Sequence, residues 1–581
     1  MKHPRRAIVL AAGFGSRLLP LTLDCPKPLV PLHGKAMIVH VLEQLQRWGV
    51  EEVLVNVHHL AEKIVAELPG ICPAGVKLNF SFEADILGTG GGLRRMAWFF
   101  EDEPLWVCNA DVWQQLDPTP LLDAYEQENP VACLWMLPES GPRTVKVEKG
   151  RVIDFRAGGM TFSGLHLISK RILPYLPDQT FSSVIDAYDA ALAAGECIMG
   201  VTVPKSEWAD VGTPEQLLAT QGGSVVFPGA VVSKQVKLDQ AIVGPGARLR
   251  KGEGIQGLVV APHRGLSPDE HRRVSEVEAV GLLPVRGSDR SFRRLYFADH
   301  QEILICSGEG RPENKRFVGH THFLHRKGIR VPRILRRAQQ DRWLQVEDLG
   351  SEHLIDRLQT GSAARNLQDM RSVLALVADL HAVEVPKTLE LEAPFDASLY
   401  KWECEFFERE FLKRHGQGSE LRKLPASVFR ASEGLTAQPQ VLVHRDLQST
   451  NLMKCADWVL IDYQGMRLGA AAYDLGSILA DPYINRPQEL QLELLAVYNA
   501  QTSHPISEEI YALGAQQRLL QALGAYGRLG ALKGNERFLQ FIPPALAQLR
   551  MWTEIPELQG LADEFLKGQT LANPLWEETH E

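Results

Sequence analysis

Between Arg6 and about Pro214, short aliphatic runs alternate with stretches of helical pattern. Ala7-Ile8-Val9-Leu10, Glu52-Val53-Leu54-Val55-Asn56-Val57 and Leu105-Trp106-Val107-Cys108 read as strands. Met37 to Trp48 and His59 to Leu68 read as helices between them. This βαβ punctuation predicts an α/β sheet with parallel strands, a Rossmann-like domain over 1–220.

The rhythm then changes. Val225, Val231, Val243, Leu249 and Ile255 share one six-residue register, broken only by Lys237, with Gly and Pro clustered between them. A six-residue aliphatic period marks β-helical coils, here a short left-handed β-helix over 221–262. About two coils fit, too few to stand alone, so the segment is expected to pack on the first domain as an appendage. An irregular valine-rich loop is the other reading. The stretch 263–279 is polar and charged and reads as a linker. From 280 to 570 a short strand-rich section precedes a mostly helical one, the order of a two-lobed, protein-kinase-like α+β domain.

Composition narrows the classes. A chain of 581 residues has room for three or four domains, or two large ones and a connector. Its 45% apolar and 23% charged content is ordinary for globular proteins. A formal charge of -9 argues against a protein built to hold nucleic acid, and no apolar stretch approaches bilayer length. Lys2, Arg5 and Arg6 before Ala7–Ala12 mimic a signal peptide, but the apolar run is too short and Arg17 ends it. The eight cysteines are dispersed without metal spacing, which implies reduced thiols and a cytoplasmic location.

Two stretches carry candidate chemistry. The first is Leu10-Ala11-Ala12-Gly13-Phe14-Gly15-Ser16-Arg17 with Pro26-Lys27-Pro28-Leu29. A strand ending in Gly13-x-Gly15 lets backbone approach a phosphate chain, and Arg17 and Lys27 add the charge that suits a triphosphate losing pyrophosphate. The second is His444-Arg445-Asp446-Leu447-Gln448-Ser449-Thr450-Asn451, after the strand Val441-Leu442-Val443, with Asp462 after the strand Trp458-Val459-Leu460-Ile461. That spacing lets Asp446 accept the proton of an incoming hydroxyl while Asn451 and Asp462 hold Mg²⁺ on ATP. His444 is expected to brace the loop rather than transfer a proton.

The first stretch resembles the sugar-1-phosphate nucleotidyltransferases, which share L-A-A-G-x-G-x-R and P-K-P-L. Three further stretches match that family. Gly88-Thr89-Gly90-Gly91-Gly92 resembles its loop at nucleobase and sugar. Asn109-Ala110-Asp111 and Trp208-Ala209-Asp210-Val211-Gly212-Thr213-Pro214 resemble its two metal-binding elements. The resemblance implies Mg²⁺ on Asp111 and Asp210, phosphates on Arg17 and Lys27, and nucleotide or substrate contacts from Ala11, Ala12, Gly13, Gly15, Gly90, Gly91 and Asn109. A sugar pocket would include Thr161 and Gly164. Gly88 departs from the family, whose members often carry Glu there. The β-helical segment is shorter than the acetyltransferase domain some relatives possess.

The second stretch resembles the aminoglycoside phosphotransferase and choline kinase-like superfamily, and within it the anomeric kinases of N-acetylmuramate and N-acetylglucosamine. Gly287-Ser288-Asp289-Arg290-Ser291-Phe292-Arg293-Arg294, Glu347-Asp348-Leu349-Gly350, Asp462 to Arg467, Tyr473-Asp474-Leu475 and Gln517-Arg518 through Arg528-Leu529 extend the likeness. It implies nucleotide contacts from Ser288, and from Glu347 where the lobes join. Ile303-Leu304-Ile305-Cys306 lacks the lysine that most kinase-like enzymes place against ATP, and Arg293 or Arg294 would supply the charge.

Together the two resemblances imply a bifunctional enzyme: ATP phosphorylates the anomeric hydroxyl of the sugar, and UTP converts the sugar 1-phosphate to a UDP-sugar, with Mg²⁺ at both sites and peptidoglycan recycling as the setting. The expected partners are small sugars and nucleotides, with neither nucleic acid nor membrane. Choline with CTP, a heptose or mannose 1-phosphate with GTP, and a transferase regulated by a pseudokinase are the alternatives.

Overall fold

A computed structural model describes residues 3–178, 180–274, 276–283, 290–307, 312–337, 343–415, 421, 423–533 and 536–567. The chain divides into two compact units, Met1–Pro284 with Arg293–Gln301, and Val285–Phe292 with Glu302–Glu581.

The first unit is built on a nine-stranded mixed sheet. Lys77–Phe82, Glu52–Val57, Arg6–Leu10 and Leu105–Asn109 run parallel in that spatial order. Thr161–Ile168 follows antiparallel, then Ala132–Leu137 with Ile198–Val201 parallel to it, and an antiparallel pair, Arg151–Asp154 and Lys146–Glu148, ends the sheet. Successive strand side chains point to opposite faces. Ala7 and Val9 therefore join one core with Leu42, Val53 and Trp106, while Ile8 joins the other with Leu54, Leu93 and Tyr188. Burial on both faces is why these strands are continuously aliphatic.

Helix Met37–Arg47 buries Ile38, Val41, Leu42 and Leu45 along one stripe. A separate two-stranded ladder, Val112–Gln115 against Glu207–Asp210, lies between the ends of chain segments 95 residues apart in sequence and matters for the site below.

The valine-rich segment is regular. Val225–Val226, Val236–Val243 and Gly252–Val260 pair in parallel, as do Val231–Val232 and Arg248–Leu249. Ala241, Val243, Ala247, Leu249, Ile255 and Val259 form its core. The six-residue register slips in the first coil: Val231 is 57% exposed, and Val232 stands opposite Leu249 and packs on that core. A one-residue shift exchanges the inward and outward sides of a strand.

The segment read as a linker begins with two helical turns. Pro262–Gly265 and Pro268–Arg273 are short helices, the second closed by a capping box between Ser267 and Glu270. Ala279–Leu282 then pairs antiparallel with both Gly252–Val260 and Ser291–Tyr296.

In the second unit, Gln301–Cys306, Trp343–Glu347 and Ile334–Arg337 form an antiparallel ladder, with helix Phe317–Arg326 in the same section. Among the described residues the rest of the regular structure is helical apart from two small ladders, Gln440–Val443 with Arg467–Ala470 and Leu452–Lys454 with Trp458–Leu460. Helices Ala471–Leu479 and Glu508–Lys533 cross where Gly476 meets Gly514; a Cβ on Gly514 would lie 2.2 Å from the Ala472 carbonyl oxygen. Only glycine permits that approach. It carries Arg518, one turn further along, to the loop after Val443.

Candidate active sites

In the first unit the pairing of Val112–Gln115 with Glu207–Asp210 sets Asp210 opposite Val112, and the Val211 amide donates to the Asp111 carbonyl at 3.3 Å. The two expected metal-binding aspartates are therefore brought together by one ladder. Each meets one of the expected phosphate-binding cations. Lys27, only 6% exposed, ion-pairs with Asp111, and Arg17 donates to Asp210 at 3.3 Å. Arg17 crosses Gly212 so closely that a Cβ there would lie 2.3 Å from its guanidinium.

The phosphate loop is shaped by local contacts. Gly15 adopts a left-handed backbone, φ 65°, and its carbonyl accepts the Thr22 hydroxyl at 2.9 Å. A Cβ on Gly13 would meet no atom within 4 Å, whereas one on Gly15 would press on Thr22 at 2.8 Å. Gly13 is thus the open glycine and Gly15 the turn glycine. Ala11 and Ala12 are buried, and the Ala11 amide donates to the Asn56 side chain at 2.7 Å. Asn56 donates in turn to buried Glu83 at 2.7 Å, a link that sequence reading missed.

Gly90 and Gly91 lie in the first turn of helix Gly88–Arg95, where added Cβ atoms would meet the carbonyl oxygens of Ser183 and Thr180 at 2.7 and 2.4 Å. Their closeness serves packing on residues 180–183. Asn109 ends its strand beneath Gly164, which stands at φ 90° in a break of strand Thr161–Ile168; a Cβ on Gly164 would lie 2.4 Å from the Asn109 amide nitrogen. Thr161 is buried, with its hydroxyl accepting the Arg143 amide at 2.7 Å.

In the second unit the loop after Val443 hangs on Asp474. That fully buried carboxylate accepts the amides of His444 at 2.6 Å and Arg445 at 2.9 Å, and lies 3.3 Å from His381 Nε2. His444 Nε2 meets the Ile461 carbonyl at 2.9 Å, which ties this loop to the strand before Asp462. A brace is the role expected for His444 from sequence. Asn451 donates from its side chain to the Asp446 carbonyl at 2.8 Å.

Asp446 itself lies 3.3 Å from Arg518 and 3.8 Å from Arg445. Burial opposes its charge, but Arg445 and Arg518 outweigh burial and hold the carboxyl below the usual carboxylate range. Arg518, almost fully buried, also donates to the Ser477 hydroxyl at 3.1 Å. Asp462, at φ 64°, is ion-paired to Arg290 and accepts from the Gln464 amide at 2.9 Å.

The surroundings of two further expected residues are defined by ion pairs. Arg293 is held by Glu270 at 2.8 Å, and Arg290 is ion-paired with Asp462. Glu347 is held by Arg330 at 2.6 Å and Arg333 at 2.9 Å, and its amide donates to the Arg333 carbonyl at 3.0 Å, so it acts as a lock on its own strand. Burial raises its carboxyl, yet the two arginines bring it below its ordinary value. Ser288 lies outside the described residues. Arg518 and Asp474 were visible only as members of longer matching stretches, and nothing in their spacing marked them.

Among the described residues no group of three His, Cys, Asp or Glu side chains converges as a metal cage. Two protein oxygens at each site, with nucleotide phosphates and water completing the shell, suit Mg²⁺, which keeps water and shares substrate phosphates. No helix among the described residues is long and apolar enough to cross a membrane, and the eight cysteines are free thiols.

Residues 6–155 match the Nucleotidyl transferase family and residues 287–510 the Phosphotransferase enzyme family. The chain is 31% identical over 237 residues to N-acetylmuramate alpha-1-phosphate uridylyltransferase of Caulobacter vibrioides, an alignment covering 38% of this chain and 96% of that protein. It is 28% identical over 287 residues to mannose-1-phosphate guanylyltransferase of Mycobacterium tuberculosis, covering 44% of this chain and 80% of that one. It is 27% identical over 276 residues to UTP–glucose-1-phosphate uridylyltransferase of Synechocystis, covering 42% and 68%. With its two acidic centres on separate units, the chain belongs to the nucleotidyl transferase family as a sugar-1-phosphate nucleotidyltransferase-like domain fused to a kinase-like phosphotransferase domain.

Proposed function

We propose that the two halves catalyse consecutive steps. The kinase half transfers the γ-phosphoryl group of ATP to the anomeric hydroxyl of N-acetylmuramate or N-acetylglucosamine. The transferase half joins the resulting sugar 1-phosphate to the uridylyl group of UTP, giving UDP-sugar and pyrophosphate in cytoplasmic recycling of cell-wall sugars. The observation that carries this reading is the union, in one chain, of a domain similar to an N-acetylmuramate alpha-1-phosphate uridylyltransferase and a phosphotransferase domain. The product of the second chemistry is the substrate of the first.

In the kinase half Asp446 accepts the proton of the attacking hydroxyl, and Arg445 and Arg518 keep its carboxylate ionised near neutral pH. Asn451 and Asp462 hold Mg²⁺ with ATP, and Arg290 supplies cationic charge beside Asp462. In the transferase half Asp111 and Asp210 hold Mg²⁺, Arg17 and Lys27 bind the nucleotide phosphates, and the open face of Gly13 admits them. Asn109, Thr161 and Gly164 line the sugar side, while Gly90 and Gly91 hold the helix at the base side in place. When bound, Mg²⁺ neutralises phosphate charge as it is transferred in each half. The parallel coils of 221–262 we read as a truncated left-handed β-helix.

A second reading replaces the sugar by mannose and UTP by GTP. The similarity to the mycobacterial mannose-1-phosphate guanylyltransferase over 287 residues favours it.

The test is a mass-spectrometric screen of the full chain with ATP, Mg²⁺, single free sugars and each nucleoside triphosphate. A UDP-sugar formed from N-acetylmuramate or N-acetylglucosamine only when ATP is present supports the first reading. GDP-mannose formed from mannose supports the second. Nucleotide sugar formed from supplied sugar 1-phosphates but never from free sugar overturns the two-step proposal.

A further inference from the structure

The loop from Gly15 to Lys27 carries both residues assigned to the nucleotide phosphates, Arg17 and Lys27, at its two ends. Its middle is fastened by three groups, one within the loop itself and two at or just before helix Ala61–Ile71. The Thr22 hydroxyl donates to the Gly15 carbonyl at 2.9 Å, His59 Nε2 meets the Thr22 carbonyl at 2.8 Å, and the Lys63 ammonium donates to the Asp24 carbonyl. Two further fastenings come from more than 200 residues away. The Arg264 guanidinium grips the Asp24 carboxylate through both Nε, at 2.6 Å, and Nη2. Leu21, buried, packs so closely on Gly244 that a Cβ there would lie 2.9 Å from it.

Both distant partners belong to the parallel-coil segment and the helical turn after it, beyond the residues 6–155 that match the nucleotidyl transferase family. The grip is chemically specific. A planar guanidinium matches a carboxylate with two parallel bonds, which fixes orientation as well as distance. Side-chain exposure is 32% for each partner, so the pair is partly shielded from solvent. The Arg264 bond draws the Asp24 carboxyl below its ordinary value. Arg264 is itself placed by Pro262, which opens the helical turn, and by Gly265, where a Cβ would lie 2.6 Å from Val280.

We propose that the coil appendage and its following turn form a clasp on the phosphate loop, with Arg264 as a positioning residue that keeps Arg17 and Lys27 in register through Asp24. The functional side of the proposal rests on the reading that Arg17 and Lys27 bind the nucleotide. The clasp explains why so short a stack of coils accompanies this domain: its occupied face is a fastening of the active-site loop.

The test is hydrogen–deuterium exchange on the full chain without substrates, comparing wild type with Arg264→Ala, Arg264→Lys, Asp24→Asn and the double variant Asp24→Asn/Arg264→Ala. Exchange over 15–27 should rise about tenfold in Arg264→Ala and in Asp24→Asn, the scale of a local opening made easier by one fastening. The double variant should match the singles, because both remove the same contact. Arg264→Lys should fall between, keeping charge but losing the fork. Exchange in strands Arg6–Leu10 and Gln440–Val443 should not change.

Unchanged exchange over 15–27, additive effects in the double variant, or a rise spread through the sheet strands would each overturn the clasp. Nucleotidyl transfer from UTP to N-acetylmuramate 1-phosphate is measured alongside, with Arg17→Ala as comparator. If Arg17→Ala leaves transfer intact, the reading of the site fails, while the exchange result still decides the clasp.

Discussion

Arg290 and Asp462, 172 residues apart in sequence, form an ion pair just beyond the strand Trp458–Leu460. Arg290 is only 7% exposed, and its guanidinium lies over the Phe292 ring, 5.5 Å from the centroid. In the proposed reading, this buried cation takes the place of the strand lysine that most kinase-like enzymes set beside the nucleotide. Arg290→Ala should therefore reduce kcat/KM for ATP in sugar phosphorylation by about 10²–10³, the cost of losing one aimed donor. Arg293→Ala, which releases only Glu270, should change it by less than about threefold, the scale of a contact outside the site. A coupled ADP-release assay on both variants decides; the reverse order of effects would return the role to Arg293.

Asp446 and Asp474 differ in place and burial: Asp446 stands part-exposed in the loop after Val443, and Asp474 is fully buried in helix Ala471–Leu479. Asp474 is fully buried and satisfies two backbone amides, so Asp474→Ala leaves orphaned donors inside the protein. It should lose phosphorylation and also about 2–4 kcal/mol of stability, since both amides lose a charged partner. Asp446→Asn keeps the shape but takes the charged partner from buried Arg518, so phosphorylation should fall by at least about 10³. The thermal midpoint should fall too, by less than in Asp474→Ala because the Asn amide oxygen still accepts from Arg518. Nucleotidyl transfer by the Asp446→Asn chain should stay at the wild-type rate. Loss of both activities in a folded Asp446→Asn protein would refute independent sites.

The strands were legible because sheet burial on both faces writes itself as aliphatic runs such as Val53-Leu54-Val55, and Glu52–Val57 appears in the structure with the bounds read from sequence. The pairing of Asp111 with Asp210 was legible only through family likeness, since the ladder that joins them lies between distant segments. Choices that depend on which side of a strand faces inward were not legible. Arg290, Arg293 and Arg294 are alike in sequence, and only the path of the chain separates the one at Asp462 from the one at Glu270. The slip from Val231 to Val232 is of the same kind. Glycines carry a related ambiguity: Gly90 and Gly91 were legible only as part of a family-like loop, and the structure adds that their Cβ positions press on residues 180–183. Proximity created by helix crossing, as for Arg518, leaves no periodic trace at all.

Lys27 and Asp111 share an ion pair unequally. The Lys27 side chain is 8% exposed and that of Asp111 32%. Removing the carboxylate strands an ammonium with little water, whereas removing the ammonium leaves a carboxylate that solvent can reach. Asp111→Ala should thus destabilise the transferase half by about 3 kcal/mol. Lys27→Met, which keeps the buried stem apolar, should cost less than about 1 kcal/mol. Both should abolish nucleotidyl transfer while phosphorylation continues. Urea unfolding followed by exchange protection in strand Arg6–Leu10 gives the stabilities, and equal losses would show that the burial asymmetry is without consequence.

His166 sets an acid limit on the same domain. It sits fully buried in strand Thr161–Ile168 with Nδ1 against the Tyr188 hydroxyl, and burial pushes its pKa down to about 3. The unfolded chain binds a proton there near the ordinary value of about 6.5, so between those two values unfolding takes up a proton. Stability contributed by neutral His166 is complete above about pH 6.5 and is lost as pH falls below it, at up to about 1.4 kcal/mol per pH unit. His166→Gln keeps an acceptor for Tyr188 and removes the titration. Its unfolding free energy should be less steep in pH between about 6.5 and 5 than that of wild type, by up to one proton's worth of slope. The measurement is urea unfolding at four pH values, read by exchange protection in strand Thr161–Ile168. Parallel pH profiles for the two proteins would mean that His166 is already protonated in the folded state, against the burial that surrounds it.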